Sequence, residues 1–297
     1  MTLIALDAMG GDHAPAEPVA GAVEAARAGV EVVLVGDEEA IKPQLEELGA
    51  SLPIVHAPEV IGMHEDPARA IREKPNASVS VAAKLVKSGE AAGFLSAGST
   101  GAAMAAGAIH IGRIPGVKRP SIASIWPTPP RPTVVLDSGA NPDVKPIHLL
   151  QFALMGAVAA EVFLDMPDPR VGLLSIGEEE GKGRDLERAT YRLLAESGLN
   201  FVGNVEGRDV GLDKADVIVT DGFTGNVFLK SVEGTARMVM MLAVEAISHL
   251  PAEDQAKMQP ALTELRARLD PETYGGAHLL GVDGVVVIGH GSSTARS

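Results

Sequence analysis

Short β-branched runs alternate with longer Ala-rich stretches of helical period along the whole chain, and this alternation narrows the possible folds more than any other feature. Residues 2–7 read as a buried strand and 15–28 as a helix with Pro15 in its first turn. Further strands are expected at 31–36, 52–56, 91–96, 122–126, 133–137, 170–176, 217–220 and 284–288. Helices are expected at 38–48, 76–88, 100–109, 147–164, 185–197 and 226–250, followed by a helix over 253–269 broken at Pro260. Pro127, Pro129, Pro130 and Pro132 force a turn between two of the strands. Strand followed by helix, repeated, implies a doubly wound α/β fold: a mainly parallel sheet with helices on both faces. One domain over 1–297 is expected, with a helical appendage at about 230–272.

Sheets of this kind bind ligands at the carboxyl ends of their strands. Five polar, Gly-rich segments fall at such ends: 7–13, 96–101, 137–141, 176–178 and 221–226. Composition limits what they can do. With no Cys, disulfides, thiolate metal sites and a cysteine nucleophile are excluded. The 25 basic and 39 acidic residues give a net charge of −14, which argues against nucleic acid as a partner. No uninterrupted apolar run reaches the ~20 residues of a membrane span, since Gln151 and Glu161 interrupt 149–164. No basic, cleavable leader opens the chain, so a cytoplasmic location is expected. The end at Gly291-Ser292-Ser293-Thr294 resembles the cap of a helix that does not follow, so a C-terminal helix is expected to be missing.

The segment 96–101 is a strand-to-helix turn of Gly, Ser and Thr, whose amides, hydroxyls and helix start suit a phosphate; Ser99 as a plain helix cap is the alternative. Residues 177–183 approach a Walker sequence but have the wrong spacing and three carboxylates, and no Gly-x-Gly-x-x-Gly run is present, so nucleotide cofactors are disfavoured. Asp7, Asp12 and His13 can be read as metal ligands but lack zinc-motif spacing; the favoured alternative is that Asp12 and His13 tighten a turn, and a third is that they orient a substrate oxyanion or another catalytic side chain. No metal and no cofactor are expected. Asp137 and Asp221 each end a strand and are suited to Asx-turns. Lys182, in Gly-Lys-Gly, is either solvated surface or a mobile cation for phosphate. Asn226 is either the N-cap of the longest helix or an amide aimed at a developing oxyanion.

Taken in order, these segments resemble a known family. Asp7-Ala8-Met9-Gly10-Gly11-Asp12-His13-Ala14-Pro15 is similar to the opening of the PlsX-type phosphate acyltransferases of bacterial phospholipid synthesis. The motifs at 96–102, 136–141, 174–179 with Lys182-Gly183, 201–207, 221–227, 274–277 and 290–293 follow in that family's order. The resemblance implies a fold like that of phosphate acetyltransferases and isocitrate- or isopropylmalate-type dehydrogenases, and a homodimer. It also implies transfer of a long-chain acyl group from acyl carrier protein to inorganic phosphate, giving acyl phosphate. A phosphate acetyltransferase using acyl-CoA, or a non-catalytic scaffold recruiting lipid-synthesis enzymes, are the rival readings.

Phosphate is already an anion at neutral pH, so direct attack on the thioester needs no covalent enzyme intermediate. On this reading the backbone at Gly98, Ser99, Thr100 and Gly101 cradles phosphate, Lys182 neutralises it, and Asn226 stabilises the carbonyl oxygen. Asp12, His13, Asn141, Asp221 and Thr224 are placed by the resemblance around the substrates.

In the appendage, Met238, Val239, Met241 and Leu242 make one helix face apolar, and Leu262, Leu265 and Leu269 form a stripe on the next. These faces suit either a dimer core or shallow seating on a membrane surface; the resemblance implies the inner face of the cell membrane and a membrane acyltransferase partner of the glycerol-phosphate pathway. Residues 251–270 have a net charge of −1 (Lys257, Arg266 and Arg268 against Glu253, Asp254, Glu264 and Asp270), so apolar area would have to drive membrane contact. Arg113, Lys118, Arg119 and Arg131 are the densest basic group for an acidic carrier protein.

Overall fold

The computed structural model describes residues 2–269 and 276–296. The chain is α/β and forms two compact units, Met1–Ile122 with Gly275–Ser297, and Ala123–Tyr274. The strand-helix rhythm is the same in both, so no shift of composition marks the boundary, and the sequence alone reads as one domain.

In the first unit the order is β1 (Ile4–Asp7), α1 (Ala16–Arg27), β2 (Val32–Gly36), α2 (Glu38–Glu47), β3 (Ile54–His56), α3 (Pro67–Glu73), α4 (Ser78–Ser88), β4 (Gly93–Ser96) and α5 (Thr100–Ala106). A π-helical turn, Gly107–Ile111, extends α5. Strand β1 lies between β2 and β4, parallel to both, with Asp7 opposite Val35 and Leu6 opposite Leu95. Every residue of β2 is buried, because helices cover both faces of the sheet: Val32 and Leu34 meet Val19, Val23, Ile41 and Leu45 of α1 and α2, while α4 packs on β1, β2 and β4. Helix α3 was not expected from periodicity; it is only seven residues long, although Asp66 as N-cap and Pro67 as first residue mark its start.

The chain passes into the second unit within β5 (Ser121–Trp126), and that unit holds β6 (Thr133–Leu136), α6 (Pro146–Leu164), β7 (Val171–Leu174), α7 (Asp185–Ala195), β8 (Phe201–Val205), β9 (Val217–Val219), α8 (Gly222–Ser248) and α9 (Ala252–Leu269). The antiparallel hairpin β5–β6 turns at the proline cluster, and β6, β9, β7 and β8 follow as parallel neighbours in that order. The chain then re-enters the first unit as β10 (Ala277–Leu280) and β11 (Val285–Ile288), antiparallel to each other, with β11 parallel to β4.

Two expectations about the helices are corrected. Helix α8 starts at Gly222, four residues before the expected 226, because Asp221 caps it. Helix α9 runs through Pro260 without a break, so that proline removes a single hydrogen bond and does not end the helix. Helix α6 is, by length and composition, apolar enough to cross a membrane, but it is the core helix of the second unit. Its residues Leu149, Phe152, Ala153, Gly156 and Ala160 are buried, and the helix packs on β6 and β9.

Gly156 shows how tight that packing is. A Cβ there would lie 2.6 Å from Val217 Cγ1 and 2.8 Å from Leu136 Cδ1. Helix propensity favours Ala over Gly by about 1 kcal/mol, whereas overpacking a core costs about 1–3 kcal/mol. Because the two neighbours sit on central strands, the second effect should win. Gly156→Ala is expected to lower unfolding stability by about 1 kcal/mol or more in denaturant titration, and a gain would show that the interface has room.

Candidate active site

Each unit has its own carboxyl-end loops. In the first, neighbouring strands end at Asp7, Ser96 and Ile288, so the segments after them emerge on one edge of that sheet. Asp7 is buried, and its carboxylate accepts from the Ser96 hydroxyl at 2.6 Å and from the Met9 amide at 3.2 Å. Burial pushes Asp7 above the ordinary carboxylate range, despite hydrogen bonds from Ser78, Ser96 and the amides of Met9 and Gly10. Ser96 Oγ in turn accepts from the Gly98 amide at 3.2 Å. A Cβ on Gly10 would come within 2.7 Å of Gly98 N, so the two loops touch where only glycine fits.

The Gly98 amide, expected to face a phosphate, is therefore engaged with Ser96. Ser99 is the N-cap of α5, its hydroxyl accepting from Ala102 N at 3.4 Å. Thr100 and Gly101 lie in the first turn of that helix, where amides lack intrahelical acceptors. Asp12 and His13 are exposed in the turn before α1, and Asp12 N donates to Gly291 O at 2.7 Å. Tyr274 and Gly275 of the sequence motif lie outside the described residues, as does the side chain of Leu269.

In the second unit, Asp137 follows β6 and is fully buried. Its Oδ1 accepts from Ala140 N at 2.9 Å, and its Oδ2 from the backbone and side-chain amides of Asn141 at 2.7 and 2.8 Å. This Asx-turn forms a platform for the start of α8. Gly222 N donates to Asn141 O at 2.8 Å, and a Cβ on Gly225 would be only 1.9 Å from Asp137 O. The close approach brings Asn226 over Gly139, where a Cβ would lie 2.8 Å from Asn226 Nδ2. Gly139 has φ 132°, so glycine is needed there on both counts. Asn226 is thus not the N-cap; it lies one turn inside the helix, exposed, with its amide beside the Asp137 loop.

The cap is Asp221, 3% exposed. Its Oδ1 accepts from Thr224 N at 2.8 Å and its Oδ2 from the Thr224 hydroxyl at 2.8 Å, and Arg184 also donates to Oδ2. Arg184 is held on its other side by Glu187. Arg184 and Glu187 were missed by sequence reasoning; their only signal was a basic residue three before an acidic one at a helix start. Arg184 stands two residues after Lys182, so its bond to Asp221 ties the Lys182 loop to the first turn of α8. Lys182 is exposed on a turn and has no ion pair among the described residues. Asn141, Asp221 and Thr224, read as lining the substrates, direct their polar atoms into this framework.

Glu178, Glu206 and Asp209 place carboxylate oxygens within metal-binding reach of one another, but the Lys214 ammonium sits on Glu178 at 2.6 Å and on Asp209 at 2.8 Å. Arg131 is paired with Asp213 and Asp216.

Burial opposes ionisation of Asp221, but the Thr224 amide, the Arg184 guanidinium and the Thr224 hydroxyl outweigh it and hold the group below its ordinary range. A carboxylate depressed in the folded state stabilises above its unfolded pKa, and that contribution is lost as pH falls through the folded value. Asp221→Asn keeps a capping oxygen but loses the charge. It is expected to be about 1–2 kcal/mol less stable than wild type near neutral pH, a figure discounted for the exposure of Arg184. Denaturant unfolding at about pH 7 and about pH 3 should show the gap closing in acid; a gap that is constant with pH would contradict the charged cap.

Comparison with known proteins agrees with this architecture. The family described as fatty acid synthesis protein matches residues 2–297. A phosphate acyltransferase from Desulforamulus reducens is 51% identical over 303 residues, covering 100% of this chain and 90% of the relative. One from Pelotomaculum thermopropionicum is 51% identical over 299 residues, covering 99% and 87%. Among solved structures, a phosphotransacetylase from Streptococcus pyogenes shares the fold with a TM-score of 0.64 at 19% identity, covering 99% of this chain and 90% of that one. The chain belongs to the PlsX-type phosphate acyltransferase family and is an acyltransferase that moves an acyl group to phosphate.

Proposed function

We propose that the acyl donor is a long-chain thioester of acyl carrier protein and that inorganic phosphate attacks it directly. A phosphate oxygen forms the new C–O bond at the thioester carbonyl, the C–S bond breaks, and the carrier leaves as its thiolate. Asn226 donates its side-chain amide to the carbonyl oxygen as negative charge develops, and Lys182 offsets the charge of the phosphate. The observation that carries this reading is the seating of Asn226. A helix start pressed onto the Asp137 loop presents an exposed amide, with an unpaired lysine on the loop clipped to the same helix. Preorganised donors of this kind need no rearrangement as the reaction proceeds. In the first unit, the amides of Thr100 and Gly101 at the start of α5 have the chemistry of an anion cradle. Asp12 and His13, exposed in the turn before α1, complete the substrate contacts proposed there.

Two further parts of the reading rest on the surface. Met238, Val239, Met241, Leu242 and Val244 of α8 and Met258 and Leu265 of α9 are exposed apolar side chains on paired helices, which favours seating on a membrane surface. Lys257 is paired with Glu253 and Asp254, so attraction to anionic lipid contributes little there. A second apolar row, Leu154, Val158 and Val162 on α6, supports a homodimer. The loop with Arg113, Lys118 and Arg119 is the proposed docking surface for the acidic carrier protein, and a membrane acyltransferase would take up the acyl phosphate.

Purified protein with a long-chain acyl carrier thioester and inorganic phosphate should yield acyl phosphate, captured by hydroxylamine. CoA thioesters used equally well would favour the phosphate acetyltransferase reading, and no product at all would leave only a scaffold. Asn226→Ala should lower turnover by ~100–1000-fold, and Lys182→Ala should also slow it strongly; a folded variant of either with normal turnover removes that residue from the mechanism. In flotation with liposomes the protein should rise with the lipid, with little dependence on anionic lipid content. Failure to float with any mixture would end the membrane assignment.

A further inference from the structure

The Lys182 loop looks unconstrained in sequence: three glutamates, then Gly-Lys-Gly. In the structure it is fixed from beneath by a side chain of β8. The β7–β8 register slips between Val171 and Gly172, pairing Val171 with Phe201 but Gly172 with Gly203, which leaves Val202 as an extra residue. Gly203 has φ 93°, a conformation that a residue with a Cβ adopts only under strain. A bulge of this kind re-aims the residues after it. Here the residue after it is Asn204, which is 7% exposed.

Asn204 Nδ2 donates to Glu179 O at 2.8 Å. The same carbonyl accepts from Lys182 N at 3.0 Å, the bond that closes the turn over 179–182. One oxygen therefore anchors the turn to the sheet and sets the start of the Lys182 side chain. Two other contacts act on the same stretch. A Cβ on Gly177 would lie 2.8 Å from Lys182 Cγ, so the lysine stem lies along that glycine. Arg188 donates to Gly183 O, holding the residue after the lysine. Asn204 Oδ1, by contrast, is buried and without a hydrogen-bond partner among the described residues, so the donor is what ties this side chain to the loop.

We propose that Asn204 is a positioning residue for catalysis, which aims the Lys182 ammonium by fixing the carbonyl of Glu179. The proposal rests on the reading of Lys182 as the cation that offsets the phosphate charge. Asn204 touches no reacting group; it acts by restricting where the lysine can be. A displacement of about 1 Å in such a group can cost ~100-fold in rate, so losing the anchor should be felt at the phosphate and not at the acyl donor.

Asn204→Leu keeps much of the volume, removes the donor and also removes the unpartnered oxygen, so the folded state should melt near the wild-type temperature. Turnover should fall by ~10–100-fold with a raised KM for phosphate and an unchanged KM for the acyl thioester. In a Lys182→Ala background, assayed at high enzyme concentration, the same substitution should have no further effect. Asn204→Ala, which removes the donor without adding bulk or charge, should repeat this pattern and serves if the leucine variant misfolds. Normal turnover and phosphate KM in these variants, with Lys182→Ala impaired, would overturn the proposal and leave the reading of Lys182 standing. A loss that multiplies in full on top of Lys182→Ala would overturn it too, since that is how a merely structural residue behaves. Full activity in Lys182→Ala itself would remove the lysine from the mechanism and this role of Asn204 with it.

Discussion

The carboxylate of Asp221 collects three donors at the end of β9, and most of the second unit's functional edge is arranged around it. Because it caps α8, the helix begins at Gly222, and both glycines of its first two turns face the Asp137 loop. That loop is approached so closely that any side chain at 225 would collide with the Asp137 carbonyl. The outcome is an asparagine held at a set height above Gly139. The same carboxylate draws in Arg184 and with it the loop that carries Lys182. One buried charge thereby ties together the start of a helix and the turn after a neighbouring strand. Asp221 stays ionised there because its donors outweigh the cost of burial.

Asp137 and Asp7 repeat the pattern. Each ends a buried strand, and each gathers loop amides or a hydroxyl onto its two oxygens. The balance differs between them: at Asp7 burial prevails and the carboxyl is pushed up, whereas at Asp221 the Thr224 amide, the Arg184 guanidinium and the Thr224 hydroxyl together turn the balance the other way. Aspartates at these strand ends are therefore builders of loops. On the reading proposed above, the chemistry falls to an amide and an ammonium that these loops carry in the second unit.

The fold was largely legible because parallel strands buried on both faces and amphipathic helices leave strong periodic signals, as in 32–36 and 185–195. What was missed is short or irregular. Helix α3 has seven residues, and β8 contains a bulge that interrupts its alternation. The start of α8 was misjudged because Gly222 and Gly225 are poor helix formers on propensity alone. Their place in the helix comes from close packing against Asp137 and Asn141, a tertiary fact. In the site as proposed, Lys182 and Asn226 are legible as residue types on strand-end loops. The partners that aim them are not, since Arg184, Glu187 and Asn204 become meaningful only once β7, β8 and β9 lie side by side.

Helix α8 joins two properties that the sequence displays separately. Gly222 and Gly225 of its first turn are buried and carry the geometry around Asn226, while the rest of its 27 residues is mostly exposed and rich in Met, Val and Leu. At about 1.5 Å per residue an unbroken helix of that length reaches roughly 40 Å. A rigid rod with one end seated on Asp137 transmits any restraint on its far portion to the asparagine near its start. On the reading proposed here, the surface that meets lipid and the amide that meets the thioester belong to one element. Contact with a membrane would then restrain the same helix that holds the oxyanion donor, and the long, apolar product would be formed by an enzyme already resting on the phase that dissolves it.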